Sequence, residues 1–153
     1  MDSIGWWLGI ALVSVLLLAY ICTWISARKV AGTYRFVRQE QRVSPPDDVA
    51  SAQEAVNRTS MLVIKLGILS TEVIRYVAGS VDARYTGDLP FWYKAELTAD
   101  SPTEFSYDLE YIPYKGGYPN IVMTERDKDG QFLKKWIYTL DAPKRPVVLD
   151  TRK

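Results

Sequence analysis

The chain has 153 residues, of which 48% are hydrophobic and 24% are charged, and its formal net charge is +1. These values are near globular averages and argue against wholesale disorder and against a protein with many membrane spans. The chain has one cysteine and no histidine, which excludes an intramolecular disulfide, a Cys/His zinc site and a histidine-based catalytic triad. The balanced charge gives no reason to expect a nucleic-acid partner.

Residues 1–27 are predicted to form a transmembrane anchor. From position 3 onward they carry no charged side chain, and a helix needs about 20 apolar residues to cross roughly 30 Å of hydrocarbon. Aromatic residues near both ends suit the two headgroup interfaces: Trp6 and Trp7, then Tyr20 and Trp24. The alternatives are a buried core helix and a cleaved signal peptide, although a signal peptide normally has a basic start and a shorter apolar core.

Residues 28–45 are predicted to be a basic juxtamembrane linker. We expect four of its bases to lie at the membrane interface with the aromatic residues of the anchor: Arg28, Lys29, Arg35 and Arg38. Bases on the cytoplasmic side would attract anionic lipid, and the alternative is that the segment is only a topology signal and a solvated linker. The positive-inside rule then predicts a single-pass protein with its N-terminus outside and its C-terminal domain in the cytoplasm. The periodicity does not decide whether this segment continues the helix, lies on the membrane or forms a strand.

An amphipathic helix is predicted over residues 46–79, with an interruption near residues 57–60 left open. Proline at 45 and 46 ends any preceding helix, and the acids that follow suit a helix N-terminus. At 100° per residue, Lys65, Glu72 and Arg75 fall on one side, opposite a broad apolar face. This charged stripe argues against a second span and predicts an exposed pair between Glu72 and Arg75.

A four-stranded antiparallel meander is predicted over residues 84–141. Alternating hydrophobicity indicates strands at 91–98, 105–111, 120–126 and 131–140, joined by short connections rich in Gly, Pro and Asp. The predicted fold class is therefore α+β, with a domain at 46–142 and a basic tail at 143–153. A helix packed on such a sheet loosely resembles cystatin-like and NTF2-like domains at the level of fold.

Aromatic residues are concentrated in the predicted sheet. Tyrosine and tryptophan supply rigid contact area at protein interfaces, although core packing and cross-strand pairs would use the same residues. The predicted partner-binding residues are Trp92, Tyr107, Tyr111, Tyr114, Tyr118, Trp136 and Tyr138. The sheet segments are acidic and the C-terminal residues basic, so Lys134 or Lys135 is expected to face Glu125 across neighbouring strands.

The residue types favour binding over catalysis. The only cluster of acids that suggests a site consists of Asp108, Glu110 and Glu125. Acids on strands are usually solvated. We expect no catalytic residue, no metal and no cofactor. The expected function is a membrane-anchored protein-binding module, an accessory or scaffold subunit of a membrane-associated complex. The alternative is a membrane-anchored inhibitor or immunity-type protein. The expected partners are the lipid bilayer and another membrane or membrane-associated protein, with no nucleic acid.

Overall fold

The computed structural model describes residues 3–88, 94–113 and 117–141. Within them lie two helices and eight strands. The elements in chain order are α1 (Ser3–Arg28), β1 (Gly32–Gln41), α2 (Asp47–Asn57), β2 (Met61–Leu66), β3 (Ser70–Val77), β4 (Ser80–Asp88), β5 (Lys94–Ala99), β6 (Ser106–Ile112), β7 (Asn120–Arg126) and β8 (Phe132–Leu140).

The eight strands form a closed barrel in sequence order. Each strand is antiparallel to the next, and β1 closes the barrel by pairing with β8, for example Tyr34 opposite Leu140. The prediction of an α+β domain, with one helix on a four-stranded meander, is therefore wrong, and so is the resemblance to cystatin-like and NTF2-like domains. Because the strands run alternately up and down, we call the end where α1 joins β1 the proximal end and the opposite end the distal end.

The predicted helix over residues 46–79 is also wrong beyond its first third. Only Asp47–Asn57 is helical, and β2, β3 and the start of β4 occupy the rest. These strands carry apolar residues on both faces, so their sequence lacks strict alternation and resembles the apolar face of a helix. For example, Val73 and Ile74 lie on opposite faces of β3, and both are buried. The strands β3 and β4 are joined by Ala78 and Gly79, whose φ angles of 50° and 80° suit a two-residue hairpin turn.

Three of the four predicted strands are confirmed, as β6, β7 and β8. The first, 91–98, overlaps β5, while residues 91–93 lie outside the described residues. The prediction that Lys134 or Lys135 faces Glu125 is confirmed for Lys134, which lies directly opposite Glu125, whereas Lys135 lies opposite Thr124. The predicted pair between Glu72 and Arg75 is wrong.

The interior of the barrel is filled by side chains, as is usual for eight strands. Every strand contributes at least one buried apolar or aromatic residue to a single cluster, and Val30 from the α1–β1 connection joins it at the proximal end. The cluster comprises Val30, Tyr34, Leu62, Ile64, Val73, Tyr85, Leu97, Leu109, Ile121, Met123, Trp136 and Tyr138. A core of this kind supplies the main free energy of folding, about 25 cal/mol for each Å² of apolar surface removed from water.

The helix α1 is joined firmly to the base of the barrel. Ala27 and Val30 are buried there, and the Tyr34 hydroxyl donates a hydrogen bond to the Val30 carbonyl at 2.8 Å. Before Ala27 the helix is mostly exposed, although the Tyr20 hydroxyl donates a hydrogen bond to the Ile68 carbonyl of the barrel. Its most apolar stretch has a mean hydropathy of 2.4. From Ile4 to Arg28 it is long and apolar enough to cross a membrane.

Candidate functional site

The distal half of β1 has a strand partner on one edge only. Its pairing with β8 continues to Gln41, whereas its pairing with β2 covers only Gly32–Arg35, because β2 begins at Met61 opposite Arg35. In the described part of the chain, no strand pairs with the second edge beyond Arg35, and the last backbone bond on that side is the one that the Phe36 N–H donates to the Ser60 carbonyl at 3.2 Å. Unpaired backbone groups on a strand edge are a template for another extended chain. This edge is the first component of the candidate site.

The helix α2 lies beside this edge. Pro46 precedes it, and Asp47 and Asp48 in the first turn complement the positive end of the helix. At its other end, Arg58 caps the helix through its backbone N–H and donates a side-chain hydrogen bond to Glu54 at 2.9 Å. The prolines at 45 and 46 cannot donate to a sheet ladder, and after them the chain turns back as the helix α2.

The contact between α2 and β1 is polar and narrow. The Asn57 amide donates to the Gln39 side-chain oxygen at 2.5 Å, and the Gln41 amide donates to Gln53 at 3.1 Å. No residue of α2 is buried, and each neutral hydrogen bond stabilises the protein by only about 0.5–1.5 kcal/mol. The helix is therefore held much more weakly than the strands of the barrel.

A groove of about 470 Å³ separates α2 from β1. This volume lies in the range of roughly 300–1,000 Å³ that is typical of ligand pockets. Its walls combine apolar and polar side chains from the two elements and from the loop between them. They include Phe36, Val37, Gln39, Ser44, Ala50 and Gln53. Together, the groove and the unpaired edge offer backbone groups, amide side chains and apolar surface to a ligand.

The core beneath the groove is rigidly packed. The edge of the Phe36 ring faces Tyr138, with centroids 6.0 Å apart, and the Tyr138 hydroxyl lies 3.2 Å from the Ser60 hydroxyl. Arg75 lies over the ring of Trp136 at 5.1 Å, a cation–π contact. These contacts hold the side chains that pack against β1 inside the barrel.

Two ion pairs join β3 to β4. Arg75 donates from Nε to Asp82 at 2.6 Å. It does not pair with Glu72, because residues three apart on a strand project from opposite faces. Glu72 instead accepts from Arg84 at 2.9 Å. Burial lowers the pKa of Arg75, but Tyr85 and Asp82 outweigh that effect, so the pKa is raised and the guanidinium stays charged.

The predicted aromatic residues do not form one surface. Trp136 and Tyr138 lie in the barrel interior, and Tyr107 and Tyr111 are half-buried. Tyr118 is 59% exposed, but it lies near the proximal end. The other two, Trp92 and Tyr114, lie outside the described residues. Alternation correctly indicated which strand residues share a face, but in a closed barrel that face is the interior.

The predicted membrane-interface residues divide into two groups. Trp6, Trp7, Tyr20, Trp24 and Arg28 lie on α1, where the Arg28 guanidinium stacks on Trp24 at 4.8 Å, and Lys29 follows directly. In contrast, Arg35 and Arg38 belong to β1 and form ion pairs with Asp141 at 2.8 Å and Glu40 at 3.1 Å. The linker segment is thus mostly a barrel strand, which was one of the three structures that the sequence left open.

The three acids considered for a carboxylate site are not brought together. Glu125 shares a face with Tyr107, whose hydroxyl donates to it at 3.1 Å. Asp108 lies on the other face, where it accepts from Arg126 at 2.7 Å. Among residues 3–88, 94–113 and 117–141, no group of three or more Asp, Glu, Cys or His side chains is placed to hold a metal ion.

Comparison with protein families gives no match, and no curated protein matches the chain. The sequence missed the edge of β1 and the groove beside it. The available signals were the prolines at 45 and 46, which separate β1 from α2, and residues 57–60, where α2 ends.

Proposed function

We propose that the protein is a single-pass membrane protein whose barrel binds an extended segment of a membrane or membrane-associated partner. The segment would lie in the groove and add a strand to the edge of β1. The observation that carries the proposal is the edge of β1 beyond Phe36, which has no strand partner and lies next to a groove of about 470 Å³.

Strand addition suits this site for a physical reason. Backbone N–H and C=O groups need hydrogen-bond partners wherever water is excluded, and an added strand supplies these partners along its whole length. Side chains on alternate residues of the added strand would then project into the groove, where Phe36 and Ala50 offer apolar contact and Gln53 offers an amide. Main-chain bonds would provide affinity, and the groove would provide selectivity.

The weak attachment of α2 also favours a binding role. Its two hydrogen bonds to β1 can be exchanged for bonds to a ligand without exposing a core, since no residue of α2 is buried. Val49 and Val56 lie exposed on the outer side of the helix and would add apolar contact for a larger partner. A core strand with many buried contacts does not allow such adjustment.

The proposal includes the cellular side on which the site lies. Arg28 and Lys29 follow the apolar segment directly, and bases near a span favour the cytoplasmic side. We therefore place the barrel in the cytoplasm as an accessory or scaffold subunit. The inhibitor or immunity-type alternative would use the same groove, and the identity of a captured partner would distinguish the two roles.

The proposal is tested by blocking the groove in cells that produce the protein. A photocrosslinking amino acid at Val37, in the wall of the groove, should capture a defined partner. The same amino acid at Thr86, on a strand paired on both edges, should not. Ala50→Trp fills the groove and should abolish the crosslink. Ala55→Trp, on the exposed side of α2, is the matched control and should preserve it.

Two results would contradict the proposal. One is a crosslink from Val37 that survives Ala50→Trp, which would show that the partner does not enter the groove. The other is equal capture from Val37 and Thr86, which would indicate non-specific contact. Circular dichroism of both tryptophan variants would show whether each retains the barrel.

A further inference from the structure

The proximal end of the barrel carries an exposed apolar tip. Ile68 and Leu69, in the connection between β2 and β3, are 77% and 78% exposed. Tyr118, in the connection between β6 and β7 at the same end, is also largely exposed. Isolated apolar residues are common on protein surfaces, but two adjacent ones at the tip of a hairpin, beside an apolar helix, need a physical explanation.

The position of the tip relative to α1 supplies this explanation. The hydroxyl of Tyr20 donates a hydrogen bond to the carbonyl of Ile68 at 2.5 Å. Tyr20 lies eight positions before Arg28, the last residue of α1, which is about 12 Å at about 1.5 Å per residue. The tip therefore lies alongside the helix, within the segment Ile4–Arg28 that is apolar enough to span a membrane.

The shape of the hairpin tip is fixed by a tight turn. The backbone N–H of Gly67 donates to the Ser70 carbonyl at 2.8 Å. A Cβ atom at Gly67 would lie only 2.8 Å from that same carbonyl oxygen, so the turn excludes any larger residue there. Because β2 and β3 are also paired along their whole length, from Met61 opposite Tyr76 to Leu66 opposite Thr71, the tip is a rigid part of the barrel.

We propose that Ile68 and Leu69 are embedded in the interface of the bilayer that α1 spans, with Tyr118 at the level of the headgroups. The inference rests on the proposed membrane span of α1. Lipid is the occupant that the geometry favours, because the hydrogen bond from Tyr20 places the tip beside the apolar surface of the helix. The transfer of apolar side chains from water to the boundary between headgroups and acyl chains lowers the free energy. The barrel thus stands on the membrane with its distal groove turned away from it.

The test uses the full-length protein in vesicles of phosphatidylcholine and phosphatidylglycerol. In a Cys22→Ala background, a single cysteine replaces Leu69 and carries an environment-sensitive fluorophore. A second protein carries the label at Val43, which is 77% exposed and follows β1 at the distal end. The label at Leu69 should emit at shorter wavelength, be quenched by nitroxide lipids and be shielded from iodide present on both sides. The label at Val43 should show the opposite behaviour.

Each outcome decides the proposal. Equal iodide quenching at Leu69 and Val43 would place the tip in water and overturn it. Shielding from iodide without quenching by nitroxide lipids would show that protein, such as a second copy, covers the tip, and would also overturn it. Alkali-resistant flotation of the vesicles tests α1 separately, since protein that fails to float overturns the span itself. Ile68→Cys repeats the measurement should Leu69→Cys fold poorly.

Discussion

Truncation of Tyr138 is the most direct test of the barrel core. Its side chain is 0% exposed, its ring faces Phe36, and its hydroxyl is 3.2 Å from that of Ser60. Replacing a buried aromatic residue with alanine typically costs about 3–5 kcal/mol, because transfer free energy is lost and a cavity remains. We expect Tyr138→Ala to lower the free energy of unfolding by about 4 kcal/mol, a large part of the roughly 5–15 kcal/mol of a typical domain.

The hydroxyl contact permits a second, finer test. Tyr138→Phe leaves the Ser60 hydroxyl, which is 3% exposed, without this partner, and an unsatisfied buried polar group costs about 1–3 kcal/mol. Removing both hydroxyls, in the double variant with Ser60→Ala, removes that penalty. The double variant should therefore lose about 1 kcal/mol less than the sum of the two single losses.

The assay is denaturant unfolding of the full-length protein in detergent micelles, followed by near-ultraviolet circular dichroism. Tyr118→Ala is the control, because that side chain is mostly exposed and should change the free energy by no more than about 0.5 kcal/mol. Equal unfolding midpoints for Tyr138→Ala and Tyr118→Ala would refute the placement of Tyr138 in the core. A lost partner interaction in Tyr138→Ala at full stability would instead support the aromatic surface predicted from the sequence.

Two further predictions concern pH and orientation. Burial raises the pKa of Tyr34 and Tyr85 above the ordinary value, so the folded state holds both protons more tightly than the unfolded state. Their contribution to stability is full below about pH 10 and declines above it by about 1.4 kcal/mol per pH unit for each group; denaturant unfolding at pH 9 to 12 measures this, and a flat profile would contradict it. In a Cys22→Ala background, Ser101→Cys in intact cells should not react with an impermeant maleimide, whereas reaction would place the barrel outside.

Local sequence was a reliable guide where one physical requirement dominated. An uncharged segment of about 25 residues is long and apolar enough for a membrane-spanning helix without any contribution from the barrel, and α1 is such a helix. Strict alternation in β6, β7 and β8 indicates strands with one face buried. The sequence also predicted that Lys134 or Lys135 would face Glu125, and the structure shows that it is Lys134.

Residues 61–88 show where local sequence is insufficient. Val73 and Ile74 are both buried although they lie on opposite faces of β3, so the alternation that indicates a strand is lost. The charged stripe seen when these residues are projected onto a helix is a coincidence. In the structure, Glu72 pairs with Arg84 and Arg75 pairs with Asp82, both on β4. Intrinsic preferences for helix or strand differ by less than about 1 kcal/mol per residue and are easily overridden by packing.

By itself, the sequence determined an apolar N-terminal helix, antiparallel strands near the C-terminus and a chain without histidine chemistry. These properties follow from composition and from periods of a few residues. Only the tertiary structure decided that β1 meets β8 to close a barrel, which encloses Trp136 and Tyr138 and leaves the distal edge of β1 without a second strand. The reason is that closure depends on contacts between residues about a hundred positions apart, such as Tyr34 and Leu140, and no local pattern encodes such contacts.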